Sequence, residues 1–551
     1  MTQSSLFNIA KYLLETAEKY PDKKAVIFSA AKISANKKSS SLTYAELNHE
    51  CDRYAYGLNG AGIKMGMKVL LMVRPSPEFI ALTFALFKIG SVPVLIDPGM
   101  GVNRLLDCIK DVQPDAVIGI PVAHIVRIFT PGYFKSVKIN IVVGPYSFFL
   151  GKSLEKVSPT INKPYVCADT EYSSPAAILF TSGSTGPAKG VMYEHGMFGA
   201  QVDLLRKVYD FKPGEVDLPG LPVFALFDVA FAMTCVVPDM DPARPAKVNP
   251  ERIVQAVKDY NVTTSFGSPA IWKRVSTYCN DNNIKLPSVK RILMAGAPVS
   301  GELIGKTKKI IPEGDVYTPY GATESLPVSS ISGSEILTET FEETKKGKGI
   351  CVGYPVPGVT VRIIKIVDSI IPKLSEDLLL SAGEVGEIIV KGPSVTKTYY
   401  LKEEATRNSK IIDKGVLWHR IGDVGYIDGS GRIWFCGRKD HRVITEKETV
   451  FTIQVEAVFN CHENVFRSAL VGTGEKGRQK PVIVIEPEKG FFPASKQSEE
   501  KFKYELLKLS SSYVHCKMIS DVLFYKLFPV DVRHNAKIYR EKLARWAEEK
   551  V

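Results

Sequence analysis

The stretch Ile178-Leu-Phe-Thr-Ser-Gly-Ser-Thr-Gly-Pro-Ala-Lys-Gly190 sets the reading of the whole chain. An apolar run enters it and a second short apolar run leaves it. Between them lie three glycines, four hydroxyl side chains and one lysine. A loop of this composition can curl around a polyphosphate. Its glycines let backbone N–H groups approach the oxygens, its hydroxyls add donors, and Lys189 adds a mobile positive charge. No Lys-Ser or Lys-Thr pair follows the last glycine, so this is not a Walker A loop. A Gly/Ser surface linker is the plain alternative, but linkers rarely end in a lysine directly before a strand-like segment.

Working outward, short apolar runs alternate with helical patterns. Lys68 to Val73 and Val92 to Ile96 read as buried strands, with Pro77 to Ile89 as the helix between them. That alternation predicts parallel α/β layering. Thr263 to Gly267 and Arg291 to Gly296 read as further strands, and Ala31 to Ser41 as a polar surface hairpin. After about Thr340 the pattern turns β-rich, with runs at Val361 to Val367, Gly386 to Val390 and Gly425 to Phe435, the last turning at Asp428. From His441 a small α+β pattern follows, with helices expected at Gln454 to Asn460, Lys501 to His515 and Arg540 to Glu549. The expected division is 1–439, containing a β-rich subdomain at about 340–439, and 440–551, with a hinge near Asp440.

A chain of 551 residues exceeds one ordinary domain, and 45% apolar content is enough for a large core. Nine cysteines, scattered and never in C-x-x-C, read as reduced thiols without a thiolate metal site. Residues 1–20 lack the basic start and long apolar core of a signal peptide. The apolar run Phe79 to Phe87 stops at Lys88, far short of a membrane span. A soluble cytoplasmic protein without a transmembrane segment is therefore expected. The net charge of +12 is spread along the chain; from His441 onward there are 19 Lys/Arg against 15 Asp/Glu. Interspersed charge is ordinary solvated surface, so no nucleic-acid partner is expected. Gly472-Thr-Gly-Glu-Lys-Gly477 matches G-x-G-x-x-G, but a strand-like run follows where a dinucleotide site needs a helix, so it reads as a hairpin turn.

Four further motifs carry chemistry. Tyr320-Gly321-Ala322-Thr323-Glu324 offers a ring to stack on a base, a hydroxyl for phosphate and a carboxylate for Mg²⁺; Thr and Glu after a glycine turn could equally cap a helix. Ala295-Gly296-Ala297-Pro298 is a tight turn after a strand, where a flat ligand could lie on the backbone. Asp423 and Arg438 stand at the two ends of a hairpin, where they could hold ribose hydroxyls or form an ordinary ion pair. Lys537, in Asn535-Ala-Lys537, opens a basic helix.

Taken together and in this order, these motifs resemble the adenylate-forming superfamily of acyl-CoA synthetases, luciferases and peptide-synthetase adenylation domains. The resemblance runs from Leu42-Thr-Tyr-Ala-Glu-Leu47 to Lys537. It implies an α/β fold: a large N-terminal domain of layered α/β subdomains plus a β-rich subdomain, and a small mobile α+β C-terminal domain. It implies ATP and Mg²⁺ as cofactors. Thr181, Ser182, Gly183, Ser184, Thr185, Gly186 and Lys189 would embrace the phosphates. Gly296, Ala297, Pro298, Tyr320, Gly321 and Ala322 would border adenine, and Asp423 and Arg438 the ribose. Thr323 would reach phosphate and Glu324 the metal, Asp440 would sit at the hinge, and Lys537 would bridge carboxylate and phosphate.

Four departures narrow the reading. Lys447 stands where thioester-forming relatives usually carry a glycine, and a long side chain there should impede a pantetheine arm. Asn535-Ala-Lys537 replaces Ser-Gly-Lys. Pro187-Ala188 reverses the common order. Leu221-Pro-Val-Phe-Ala225-Leu-Phe-Asp228 carries Ala and Asp where long-chain acyl-CoA synthetases often show His and Gly. With Val237 to Pro245 and Val532 to Leu543, these resemble the β-lactone synthetases of bacterial long-chain olefin biosynthesis. The implied substrates are ATP and a 2-alkyl-3-hydroxy (β-hydroxy) fatty acid, with other enzymes of the same pathway as possible partners. A fatty-acyl-CoA ligase, or an acyl-AMP ligase loading a carrier protein, is the main alternative. Phe224, Phe227, Phe266 and Gly267 are candidates to line the acyl pocket, or equally to fill ordinary core. His195 is a candidate base for the hydroxyl, though a lone histidine after a strand is commonly structural.

Overall fold

Alternating buried strands and helices build two parallel sheets. The computed structural model describes residues 6–28, 40–145, 149–181, 187–530 and 538–551. One seven-stranded sheet runs in the order Lys152–Ser153, Ile139–Val142, Ala116–Gly119, Lys68–Met72, Val92–Ile96, Pro175–Thr181, Lys189–Glu194. All neighbours are parallel except the last pair, an antiparallel hairpin. A second seven-stranded sheet runs Asp315–Tyr317, Arg291–Met294, Thr264–Gly267, Val216–Asp217, Thr234–Val237, Lys24–Phe28, Ser40–Thr43. It too is parallel except at its last pair.

Helix Pro77–Ile89 shows how local chemistry places these layers. Ser76 caps it by accepting from the Phe79 N–H, Pro77 opens it, and Gly90 closes it at φ 73°. Every residue from Phe79 to Ile89 is buried, so the helix is apolar on all sides. Its one buried charge, Lys88, donates to Asp52 at 2.5 Å and Asn48 at 2.6 Å. Pairing removes most of the cost of an isolated buried ammonium.

The β-rich part is an eight-stranded sheet whose strands lie between Tyr320 and Arg438. It therefore takes in two strands upstream of the expected start, and Thr340 itself lies in a helical segment. The expected strand at Val361 to Val367 is shorter, Thr360–Ile364, because the Val367 carbonyl turns aside to accept from Arg420 and Lys439. The C-terminal residues form a three-stranded sheet, Val465–Thr473, Lys480–Pro487 and Asp521–Phe524, with helices Thr452–Phe459, Lys496–Ser510 and Arg540–Glu548. Helix Lys496–Ser510 begins before its expected start because Ser495 and Ser498 form a capping box. Val455, Phe459, Leu470, Ile483 and Leu506 give this unit its own core. The glycine-rich 472–477 segment is a hairpin turn joining antiparallel strands, as its sequence indicates.

One buried pair of acids forms no ion pair among the described residues. Asp217 and Asp228 are 1% and 2% exposed, beside Cys235 and Tyr44. Both Asp217 oxygens and Asp228 Oδ2 lack a donor among the described residues. Burial, and for Asp217 also the neighbouring carboxyl, push both acids above the ordinary carboxylate range. The pair therefore holds a proton that the unfolded chain gives up more readily. Stability from this source is complete below the unfolded carboxylate pKa of about 3.9 and is lost as pH rises through the raised folded values. Asp228→Asn should flatten that dependence. Between about pH 5 and pH 8 the parent's Tm should fall more than the variant's; parallel Tm curves would show that the pair holds no such proton.

Candidate functional site

The glycine-rich stretch opens from the hairpin Pro175–Thr181 and Lys189–Glu194, whose register pairs Thr181 with Lys189. Ser182, Gly183, Ser184, Thr185 and Gly186 lie outside the described residues, as does Lys537. Lys189 is exposed, and its Nζ stands 5.0 Å from the centre of the Tyr399 ring.

Residues 396–400 tie this hairpin to Glu324. Tyr400 N–H donates to the Gly190 carbonyl at 2.8 Å, and Met192 N–H to the Thr398 carbonyl at 3.3 Å. Thr396 N–H donates to the Glu324 carbonyl at 2.8 Å, and Tyr399 Oη to Glu324 Oε1 at 2.6 Å. Thr323 and Glu324 form the two-residue turn between Tyr320–Ala322 and Ser325–Ser330, with Ala322 opposite Ser325. They are thus a hairpin tip rather than a helix cap. Gly321 is required there, since a Cβ would strike the Ser325 carbonyl. The Tyr193 hydroxyl donates to the Thr323 carbonyl from the strand after the glycine-rich loop.

Tyr320 leads to a second cluster. Its hydroxyl donates to Asp423 Oδ2 at 2.7 Å, while Arg438 Nη1 donates to Asp423 Oδ1 at 2.6 Å. Asp423 and Arg438 are direct cross-strand partners. The aspartate is 5% exposed, and its charge holds the Arg438 guanidinium above its usual pKa. The two residues therefore form an ion pair with each other, a half-buried one in which the Tyr320 hydroxyl shares the aspartate. Gly296, at φ 90°, and Pro298 are exposed and Ala297 half-buried just beyond strand Arg291–Met294.

Two apolar cavities flank the helix Ala225–Phe231. The first is a cleft open to solvent, lined by Phe79, Ile80, Gly220, Pro222, Ala225 and Val237 together with Pro238, Met240 and Pro242. It opens at the carboxyl ends of strands Val216–Asp217 and Thr234–Val237. The first of these lies two strands, or about 10 Å, from the strand that carries Gly296. The second is lined by Phe84, Phe87, Phe198, Val202, Leu226 and Phe227 among others.

Of the residues expected to line an acyl pocket, Phe227 faces the second cavity. Phe224 and Phe266 are buried and stacked on each other, with centroids 3.9 Å apart, and Gly267 packs beside Trp272. These three take the core role. His195 is a correction: it is fully buried, and its Nδ1 accepts from the Ile9 N–H at 3.2 Å. Burial pulls its pKa down to about 4. It is therefore a neutral ring that secures the N-terminal segment, and a weak base. Asp440 is exposed in the turn Lys439–His441, and Lys447 is exposed at the tip of the hairpin joining Val443–Ile444 to Thr449–Val450.

Tyr399 and Lys410 escaped the sequence reading. Lys410 is buried, donates to the Thr396 carbonyl, and is lowered to about 7 by burial, against which the nearby Glu324 charge acts. Nearby His419 is buried and well below its usual pKa, chiefly through burial, with its Nδ1 3.1 Å from the Ser409 carbonyl. Only the doublet Tyr399-Tyr400, unusual in a loop, could have drawn attention.

Residues 13–400 match the family of AMP-binding enzymes. The chain is 44% identical to an olefin beta-lactone synthetase of Xanthomonas campestris pv. campestris, over 99% of this chain and 98% of that protein. It is 42% identical to an olefin beta-lactone synthetase of Stenotrophomonas maltophilia, over 98% of each. In fold it is similar to the amide bond synthetase McbA from Marinactinospora thermotolerans, with TM-score 0.78, 22% identity, and 98% and 99% of the two chains covered. The motif order, the site that brings Lys189, Glu324, Tyr320, Asp423 and Arg438 into one region, and these likenesses have one conclusion: the chain belongs to the AMP-binding enzyme family and is an adenylate-forming enzyme.

Proposed function

We propose that the chain is an ATP-dependent β-lactone synthetase acting on a 2-alkyl-3-hydroxy fatty acid. One observation carries this beyond adenylation. Two segments that set the sequence apart from acyl-CoA ligases, Leu221 to Asp228 and Val237 to Pro245, come together around the first apolar cavity through Pro222, Ala225, Val237, Pro238, Met240 and Pro242. The near full-length likeness to two olefin beta-lactone synthetases supports it.

In this reading the 1–439 part binds nucleotide and the 440–551 part, pivoting at Asp440, brings Lys537 to the reacting carboxylate. Thr181 to Gly186, Thr323 and Lys189 hold the phosphates, with Lys189 kept over the Tyr399 ring. Gly296, Ala297, Pro298, Tyr320, Gly321 and Ala322 border adenine. Asp423 keeps lone pairs for ribose hydroxyls, because among the described residues each oxygen accepts only one bond. Glu324 fits a Mg²⁺ ligand: Tyr399 engages Oε1, and among the described residues no donor meets Oε2. A lone carboxylate suits an ion that takes its other ligands from phosphate and water. When bound, Mg²⁺ would neutralise phosphate charge.

The substrate carboxylate attacks the α-phosphorus and pyrophosphate leaves. The β-hydroxyl then attacks the activated carbonyl, closing the ring and releasing AMP and a proton. This second nucleophile is tethered, so its effective concentration is high and no thiol is needed. Apolar cavity walls keep water from the acyl-adenylate.

With ATP, Mg²⁺ and a β-hydroxy acid but no CoA, the expected products are β-lactone and AMP. Product only on adding CoA or a carrier protein would establish the ligase alternative. Tyr399→Phe removes the donor that fixes Glu324. A hydrogen bond to a charged group contributes about 1.5–3 kcal/mol, so pyrophosphate release should slow by about tenfold to a hundredfold in a folded variant. An unchanged rate would show that Glu324 is positioned by other means.

A further inference from the structure

Helix Pro121–Phe129 shows an apolar side to water. A surface helix normally buries its apolar side and shows polar residues to water. Here His124 is fully buried, with its ring Nε2 2.9 Å from the Ile141 carbonyl. Arg127 also turns inward, donating to His124 Nδ1 at 3.4 Å and to the Leu150 carbonyl at 3.0 Å. The outer side carries Val122, Ile125, Ile128 and Phe129, which are 54%, 45%, 47% and 80% exposed. Three of them recur at i, i+3 and i+7, a continuous stripe along one side. Phe149, next to the Leu150 carbonyl that Arg127 holds, adds a ring that is 87% exposed.

The surroundings are basic. Residues 121–164 hold six Lys/Arg and one acid, Glu155. That acid is paired with Arg53 at 3.1 Å, an arginine it shares with Glu50. Lys135, Lys138 and Lys152 are exposed, and they flank strand Ile139–Val142 and its edge partner Lys152–Ser153 beside the helix.

We propose that this side of the molecule docks on the surface of an anionic phospholipid bilayer, with the helix lying in the interface plane. Exposed apolar side chains ringed by lysines are the composition of an interfacial helix, the apolar stripe entering the acyl boundary and the lysines meeting lipid phosphates. A second copy of the chain would set one basic rim against another. Lysine is also depleted where proteins bury surface against each other. The helix begins at the carboxyl end of strand Ala116–Gly119, the same sheet edge from which the glycine-rich loop departs, three strands or about 14 Å away. Docking there would bring the adenylating site to the source of a water-insoluble substrate.

Co-sedimentation of the full chain with vesicles tests this. Phosphatidylcholine alone is compared with phosphatidylcholine containing about one third phosphatidylglycerol. Binding to the anionic vesicles should be at least about tenfold tighter, and both Ile125→Ser/Phe129→Ser and Lys135→Glu/Lys138→Glu/Lys152→Glu should weaken it at least about tenfold. Both variants should keep the parent's rate on a short, soluble hydroxy acid, which shows that they are folded. Absence of sedimentation by the parent, or equal sedimentation by both variants, would overturn the proposal. So would concentration-dependent self-association that Ile125→Ser/Phe129→Ser abolishes without any vesicle binding, since that would make the stripe a contact between copies.

Discussion

A carboxylate and a triphosphate repel each other, and the site is arranged around that repulsion. Reaction requires one anion to reach the phosphorus of a group carrying several negative charges. Cations and oriented N–H groups must therefore be in place before the atoms meet, because assembling them afterwards costs reorganisation energy. The charged groups of the proposed site come from elements far apart in sequence. Lys189 comes from the antiparallel edge strand of an otherwise parallel sheet, Glu324 from a hairpin tip, and Arg438 from the end of an antiparallel strand.

The short segment 396–400 makes that assembly one unit. It lies along the strand behind the glycine-rich loop, bonds through Thr396 to the backbone of Glu324, and sends the Tyr399 hydroxyl to the Glu324 carboxylate. Beneath it, buried Lys410 holds the Thr396 carbonyl. A second bridge runs from Tyr320, on the same hairpin as Glu324, to Asp423. The glycine-rich hairpin, the Thr323-Glu324 turn and the strand that carries Asp423 are thus linked by backbone bonds and by two tyrosine hydroxyls donating to carboxylates, bonds that are stronger than neutral ones.

Much of this was legible from residue order. Buried strands of the Lys68–Met72 and Val92–Ile96 kind are short apolar runs bounded by turns, and the helix between them carries its own cap signals in Ser76, Pro77 and Gly90. The decoy at 472–477 was readable because a strand follows it. The turn at Thr323-Glu324 was not, since Gly-Ala-Thr-Glu suits a hairpin tip and a helix cap equally, and only pairing of Ala322 with Ser325 decides. Tyr399 was hidden because its partner lies 75 residues away, a contact with no local signature. Aromatic residues such as Phe224 and Phe266 fill core or line pockets with the same composition, and here they stack on each other. His195 looked reactive next to the loop, yet burial makes it a neutral structural ring.

The account stands on activation of the carboxylate, not of the hydroxyl, and an oxygen label separates the two. A β-hydroxy acid carrying oxygen-18 in both carboxylate positions is converted with ATP and without CoA. If the carboxylate attacks the α-phosphorus and the hydroxyl then expels AMP, one labelled oxygen appears in AMP and one stays in the lactone carbonyl. A lactone that keeps both labels, with AMP unlabelled, would mean that the hydroxyl was activated and displaced, and would contradict the adenylation mechanism.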